Sequence, residues 1–354
     1  MKHTSLSYTP AFAPEVIRQR LERLVVPGAI GDSDLERRCV RLDERFRVYA
    51  SSAPHGLWSP GLVLTDETRV VSDLYLPLDE IRAAFDRLFT RALRFSPFPG
   101  ASPLQGASCW LDILHSLQLL VTEPNPAPLL RRLMTDETFR QQFFFALFLP
   151  HRYGGSFTRY PGQLAFLRRW LAENRGRLAG AVRCLDAACG SGEGTYDIAL
   201  EVAACGYEPR HITIDGTTLE PLELFAAAHA YFPHDPGRQE AFRRRIATLF
   251  TDGSPARLRF SLENLLCSAP QKECYDVVLC NGLLGGPMLT ERSAVEAVVR
   301  SLTHRLAPGG ILLAADRFHA GWRKKLSKEE LGEMIGQSGL APLCPEEGIG
   351  GVKN

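Results

Sequence analysis

An excess of charge of either sign is the first thing this chain lacks. Its 354 residues hold 41 basic and 40 acidic side chains, a net charge of +1. No chain-wide field therefore draws it to nucleic acid or to an anionic membrane. Long apolar runs are missing as well. The longest, FFFALFL at 143–149, stops at Pro150 and falls far short of the roughly 20 apolar residues that span a bilayer. The opening MKHTSLSYTPAFAP has no apolar signal core. The nine cysteines are scattered, odd in number and include no C-x-x-C pair. That argues against a disulfide framework or a structural zinc site and fits a reducing compartment. There is no H-E-x-x-H, no clustered metal-ligand spacing, no G-x-S-x-G elbow, no internal repeat and no low-complexity tract. The expectation is a cytoplasmic protein without a membrane segment or a bound metal, long enough for two domains.

What is present divides near residue 150. In 1–150, the segments 14–25, 77–95, 109–121 and 126–149 carry apolar residues at helical spacing, while 26–76 and 96–107 are rich in Pro, Gly and Ser and read as irregular. This predicts a mainly helical N-terminal domain, 1–150. From 151 to 354 the pattern becomes α/β. Short apolar strands at AVRCLDAA, RHITIDGTT, ARLRFSLENLL, CYDVVLCN and GILLAAD alternate with helical stretches at 193–204, 221–232, 291–307 and 327–339. Ser327 and Glu330 form a capping-box signature at the last of these. Such alternation predicts a Rossmann-like parallel sheet with helices on both faces, and a ligand beyond the carboxyl ends of its strands. The closing APLCPEEGIGGVKN leaves very few residues for two further strands, so they are short or the sheet ends early.

The first strand runs into a glycine turn, Asp186-Ala-Ala-Cys-Gly190-Ser-Gly192-Glu193-Gly194. A phosphate loop would need Lys-Ser/Thr after the last glycine, and a dinucleotide fingerprint would need a third glycine where Thr195 stands. Glu193 also sits where a pyrophosphate wants bare N–H groups and no negative charge. S-Adenosylmethionine (SAM) fits better, being cationic and free of phosphate. Asp186 and Glu193 offset its charge, and Gly190 and Gly192 let backbone approach its methionine part. At the end of strand two, Glu220 is the candidate for the ribose hydroxyls, with Thr218 and Asp215 as competitors. Asp215 falls at mid-strand. Asn264 beyond strand three would meet the adenine edge, and Asn281 beyond strand four would line the floor near the sulfonium. Each of these side chains taken singly also reads as an ordinary loop cap.

These residues resemble the class I SAM-dependent methyltransferases and, within them, the chemotaxis-receptor (CheR-type) methyltransferases. The likeness rests on Ala187-Ala188-Cys189-Gly190-Ser191-Gly192-Glu193 through Leu200, on Gly216–Glu220, on Asn264-Leu265, on Tyr275–Asn281 and on Phe157–Pro161. It covers about residues 150–316. It implies a methyltransferase domain at 151–354 behind a helical domain. It adds Ala188 and Leu265 to the cofactor set of Asp186, Gly190, Gly192, Glu193, Thr218, Glu220, Asn264 and Asn281. It also places Arg159 near the cofactor carboxylate or the methyl acceptor; a surface arginine beside Pro161 is the plain alternative. Two departures touch the acceptor. The family's tyrosine after strand four falls at Gly285-Gly286, and its three-stranded docking insertion is replaced by 233–256, which reads as one helix plus a turn.

The expected activity is therefore methyl transfer from SAM to a carboxylate or hydroxyl of a protein or small molecule, with no oligomeric state implied. Most of the rate in such a reaction can come from positioning, which suits the absence of a sharp acid–base constellation. His229 and His234 are candidate bases, each more simply read as a solvated helix-end histidine; His319, after strand five, is better placed for substrate contact, and the plain reading is that it has no role. Two rival readings remain: an RNA methyltransferase, resting on the basic runs FRRR (242–245) and WRKK (322–325), and a module that binds SAM, or nothing, without catalysis.

Overall fold

The computed structural model describes residues 6–52, 61–97, 103–117, 120–121, 123–149, 156–250, 255–267, 275–286, 289–315 and 326–354. The chain forms two compact units, one of residues 1–12, 150–231 and 237–354, the other of 13–149 with 232–236. This grouping differs from a division at 150 in two places: residues 6–12 go with the sheet, and 232–236 with the helical unit. The reason for the first is a strand, Ser7–Tyr8 (β1), whose backbone pairs antiparallel with the third strand of the α/β region.

The sheet continues with Val182–Ala187 (β2), Ile212–Thr218 (β3), Arg257–Leu262 (β4), Tyr275–Leu279 (β5), Leu306–Ala314 (β6), Leu340–Leu343 (β7) and Ile349–Lys353 (β8). Its order is β1-β4-β3-β2-β5-β6-β8-β7. Strands β2 to β6 are mutually parallel, and β8 runs antiparallel to both β6 and β7. The chain moves outward from β2 through β3 to β4, then returns to place β5 on the other side of β2. The crevice between β2 and β5 is the switch point at which open α/β sheets take ligands. Both closing strands are present and short, β8 lying in register with β6 from Ile311↔Val352 to Ala314↔Ile349.

Side chains alternate across the sheet, and both faces are covered. On one face Leu185 and Ala187 join Val295, Val298, Val299 and Leu302 of helix Arg292–Arg305 and Leu331, Met334 and Ile335 of helix Lys328–Gln337 in one buried cluster. On the other, Asp186 meets Thr195 of helix Glu193–Ala204. The last helix opens with its capping box formed: Ser327 Oγ accepts from Glu330 N–H (3.1 Å), and Glu330 Oε2 accepts from Ser327 N–H (2.7 Å).

In the second unit the apolar run FFFALFL forms the end of helix Glu137–Phe148 and its C-cap, Leu149, and all seven residues are buried. Phe143 stacks on Phe85, which stacks on Trp110, with ring centroids 5.9 and 6.0 Å apart. Arg140, fully buried, donates to the carbonyls of Leu133, Val26 and Gly28. The expectation of irregular structure over 26–76 is overturned, since helices Ser33–Ser52 and Asp66–Tyr75 occupy much of it. Leu35, Cys39, Leu42 and Tyr49 recur at intervals of four, three and seven residues and are all buried, a stripe masked in the sequence by the prolines, glycines and serines around it.

Candidate functional site

The turn after β2 runs against the grain of L-amino-acid backbone. Ala188 has φ +130°, Gly190 φ +52° and Gly192 φ +94°. Cys189 N–H donates to Thr217 O (2.8 Å) and Gly192 N–H to Cys189 O (2.9 Å), which tie the turn to the end of β3. The two glycines serve different ends. A Cβ on Gly192 would lie 2.7 Å from Ala227 Cβ, so this glycine lets helix Glu193–Ala204 start against helix Pro221–His229. A Cβ on Gly190 would meet nothing within 4 Å. Open space therefore adjoins bare backbone at Gly190, next to a non-glycine residue in a conformation that costs on the order of 1–3 kcal/mol.

The acids flanking this turn are already engaged. Asp186 is buried and accepts from Thr195 Oγ1 (2.7 Å). Burial pushes its carboxyl up to about 6, against the Thr195 hydrogen bond and with help from Asp197. Glu193 is 4% exposed. It accepts from Ser191 Oγ (2.7 Å) and forms an ion pair with Arg238, whose Nη2 also donates to Ser191 Oγ (2.9 Å). Sequence reading gave the Glu193 charge to a ligand; the structure gives it to Arg238. The argument that this charge would repel a pyrophosphate falls with it. What still departs from the dinucleotide pattern is Thr195, whose hydroxyl holds Asp186.

At the end of β3, Thr218 Oγ1 donates to Glu223 Oε2 (2.7 Å) and accepts from Glu220 N–H (3.4 Å). Glu220, buried, is the N-cap of helix Pro221–His229 and accepts from Leu222 N–H (3.4 Å). Glu223, bonded to Thr218 beside these residues, was not singled out in the sequence. Desolvation pushes its carboxyl up to about 7, the Thr218 hydrogen bond opposing and the charge of Glu193 adding to the rise. Its position three residues beyond Glu220 in a first helical turn was the available signal. Asp215 points to the opposite face from Asp186. It accepts from Arg259 Nε (2.8 Å) and Tyr275 OH (2.9 Å), the bonds of a buried carboxylate that holds the sheet together.

Beyond β4, Asn264 is exposed, and its Oδ1 accepts from Leu266 N–H (3.0 Å), a local turn cap. Leu265 packs against the buried cluster between the sheet and its helices. Beyond β5, Asn281 exchanges two hydrogen bonds with Gln163, at 3.1 and 2.8 Å, while its Oδ1 accepts from Ala315 N–H (2.8 Å). Gln163, buried on helix Pro161–Glu173, is a second residue not foreseen. Arg159 borders this same loop. Its guanidinium lies 5.1 Å from the Tyr160 ring centroid, and its Nη1 would be 3.7 Å from a Cβ on Gly282.

Other candidates resolve differently. His229 is not solvated; it is fully buried, with Nδ1 2.6 Å from Ala11 O and its ring against Tyr8 and Phe225. His234 is half-buried. The run FRRR lies on helix Pro236–Ile246, where Arg243 donates to Ala230 O and Arg245 holds both Asp197 and Thr158. Two of its three arginines thus serve the fold. The stretch 233–256 is helix Pro236–Ile246 followed by a short 3-10 turn, Ala247–Phe250, among the described residues, and this helix supplies Arg238. His319 and WRKK lie outside the described residues. No described helix is long and apolar enough to cross a membrane.

No family model matches the chain. Among curated proteins it is similar to the "Probable biofilm formation methyltransferase WspC" of Pseudomonas putida. The two are 27% identical over 193 residues, which is 51% of this chain and 44% of the relative. The chain thus spans less than half the length of that relative. Among solved structures it is similar to the N-methyltransferase NodS of Bradyrhizobium japonicum in complex with S-adenosyl-L-homocysteine (TM-score 0.38, 15% identity, 59% of this chain and 89% of that one). It is also similar to the [4+2]-cyclase SpnF (TM-score 0.34, 22% identity, 55% of this chain and 64% of that one). Parallel strands in the order β4-β3-β2-β5-β6, closed by an antiparallel β8 set before β7, with a glycine crossover after β2, make a Rossmann-like sheet with helices on both faces.

Proposed function

We propose that the chain is a SAM-dependent methyltransferase that binds its cofactor across the carboxyl ends of β2, β3, β4 and β5. Its acceptor is a carboxylate or hydroxyl of a protein or small molecule. The observation that carries this reading is the turn at Ala188–Gly190, where strained backbone borders open space at the switch point of the sheet. The donor set suits the ligand. Asp186 lies near the end of β2, and Glu220 and Glu223 follow β3, so carboxylates stand at two adjoining strand ends. The CheR-like first motif and the likeness to WspC point the same way. A cytoplasmic setting belongs to the same proposal, supported by the scattered cysteines.

When bound, SAM supplies a methyl group already activated by its sulfonium. The chain then has to align an acceptor and exclude water, and such positioning can contribute ~7–11 kcal/mol. The Asn281–Gln163 pair fixes the loop after β5 against helix Pro161–Glu173, with Arg159 beside it. We assign this loop and Arg159 to the acceptor side, and Ala188, Gly190, Gly192, Glu193, Thr218, Glu220, Asn264 and Leu265 to the cofactor side. Within that set, Glu193 and Asn264 act on the loops that carry them. A carboxylate acceptor needs no base, which suits a buried His229.

The test is incubation of the protein with radiolabelled SAM and cell lysate. Label in protein that is released in mild base supports a carboxyl ester. Label in RNA, or no label despite binding of S-adenosylhomocysteine, overturns the acceptor assignment in favour of an RNA enzyme or a non-catalytic module.

A further inference from the structure

The helical unit holds most of the apolar surface that the described residues leave open. Val40, Val48, Val63, Val70, Val71 and Leu74 are all exposed, and of the large apolar side chains elsewhere in the described structure only Leu219 and Leu266 join them. Helix Asp66–Tyr75 is built inside out. Its buried residue is Ser72. Arg69 and Tyr75, on the same side, are half-buried, and Arg69 holds Asp112 (3.0 Å). The apolar residues face away, with Val70 68% exposed and Leu74, one turn on, 71%. A surface helix normally turns such a stripe to the core, and a contiguous exposed apolar patch marks an interaction site.

Helix Ser33–Ser52 adds a second strip. Leu35, Cys39, Leu42 and Tyr49 form its buried side. At 3.6 residues per turn, Val40 and Val48 fall on the opposite side, and both are exposed. The rings of Tyr49 and Tyr75 lie 5.9 Å apart, so the two helices adjoin, with Val48 and Leu74 each one residue from that contact.

The charges around the two strips are opposite in sign. Arg37, Arg41 and Arg47 flank Val40 and Val48, with Glu44 among them, and their side chains are mostly exposed. Each already meets an acid of its own unit, Asp34, Glu80 and Asp43 in turn. Exposed pairs of this kind hold weakly, and a guanidinium has donors to spare for a second carboxylate. Beside Val70 and Leu74 stand Asp66 and Glu67, both exposed. Glu67 pairs with no cation among the described residues.

A basic apolar strip next to an acidic apolar strip is complementary to a second copy of itself turned about a two-fold axis. We infer that the chain forms a symmetric dimer in which helix Ser33–Ser52 of each copy lies on helix Asp66–Tyr75 of the other. Val40 and Val48 meet Val63, Val70 and Leu74, and the arginines meet Asp66 and Glu67. A helix of 20 residues is about 30 Å long, a length that suits an interface of ~800 Å² per partner. This dimer is independent of what the crevice binds.

Sedimentation equilibrium of the full chain tests it, with folding of each variant checked by circular dichroism. The wild type should pass from monomer to dimer as its concentration rises. Leu74→Glu, at an exposed position, should weaken the dimer by about thirtyfold or more. Two charge reversals sharpen the test, Arg41→Glu with Arg47→Glu and Asp66→Arg with Glu67→Arg. Each alone sets like charges across the interface and should weaken self-association by about tenfold or more. An equimolar mixture of the two should form a mixed dimer, because each reversed strip then meets its opposite. A wild type that stays monomeric at every concentration overturns the inference. So does a dimer that Leu74→Glu leaves intact, since its interface then lies elsewhere. Two charge-reversed proteins that stay monomeric when mixed overturn the pairing of one helix on the other.

Discussion

The turns after β2 and β3 each present glutamate to one crevice, and they treat it in opposite ways. After β2, Glu193 is neutralised by an arginine from a helix that begins more than forty residues later. After β3, Glu223 meets a hydroxyl, and among the described residues no cation pairs with it. The first carboxylate therefore belongs to the scaffold of its turn, while the second still has a charge to offer. A glutamate beside a glycine turn is thus no guide to what it binds until its counter-ion is known.

The largest expected effect comes from removing the arginine. Arg238→Met leaves Glu193 buried and unpaired and should cost about 3 kcal/mol, read by urea denaturation. Arg238→Met with Glu193→Gln should recover most of that, because the charge is then gone as well. If the single and the double variant are equally unstable, the pair is not what holds the turn.

The glycines sharpen the comparison next. Gly192→Ala meets both an unfavourable φ and the Ala227 side chain, and should cost about 2–3 kcal/mol. Gly190→Ala meets only the unfavourable φ and should cost about 1–2 kcal/mol. It should nevertheless weaken S-adenosylhomocysteine binding by about tenfold or more, since its methyl enters the open space beside the turn. Comparable binding by Gly190→Ala and wild type would remove the cradle from the argument.

Proton linkage gives a smaller effect. In the ligand-free fold, Glu223 is raised from 4.5 to about 7 and Asp186 from 3.8 to about 6. Across that window the folded state binds more protons than the unfolded chain, so these two groups make stability fall as pH rises from about 4.5 to 7. Melting at pH 5, 6 and 7 should show this slope, and Glu223→Gln should flatten its upper part. Asn264→Ala, a change in an exposed loop cap, should move stability by about 0.5 kcal/mol or less, read by urea denaturation.

What was legible in the sequence was what is local. Helix Glu193–Ala204, strands β2 to β6 and the capping box at Ser327 are written in contiguous residues, as is the glycine turn itself. Asp215 could be set apart from Glu220 by counting along a strand. What escaped depends on partners distant in the chain. Arg238 reaches back to Glu193, and Gln163 pairs with Asn281 across more than a hundred residues. No window of sequence contains both members. His229 was misjudged for the same reason, because the carbonyl it meets belongs to Ala11. Helix Ser33–Ser52 was lost for another: a clear stripe averaged together with the prolines and glycines around it. Glu223 alone could have been found by counting one turn past the cap.

The pairing of Ser7–Tyr8 with β4 sets an order on biosynthesis. Along the chain this edge strand is made well before its mate, with β2 and β3 and the helical unit between them. The helical body encoded between them can collapse early on its own apolar contacts, while the amino-terminal segment waits unmatched. Joining this strand to the sheet waits on the making of β4. A clone begun at residue 13 would keep every acid and glycine of the crevice yet emerge with a raw sheet border, and border strands of that kind recruit neighbours.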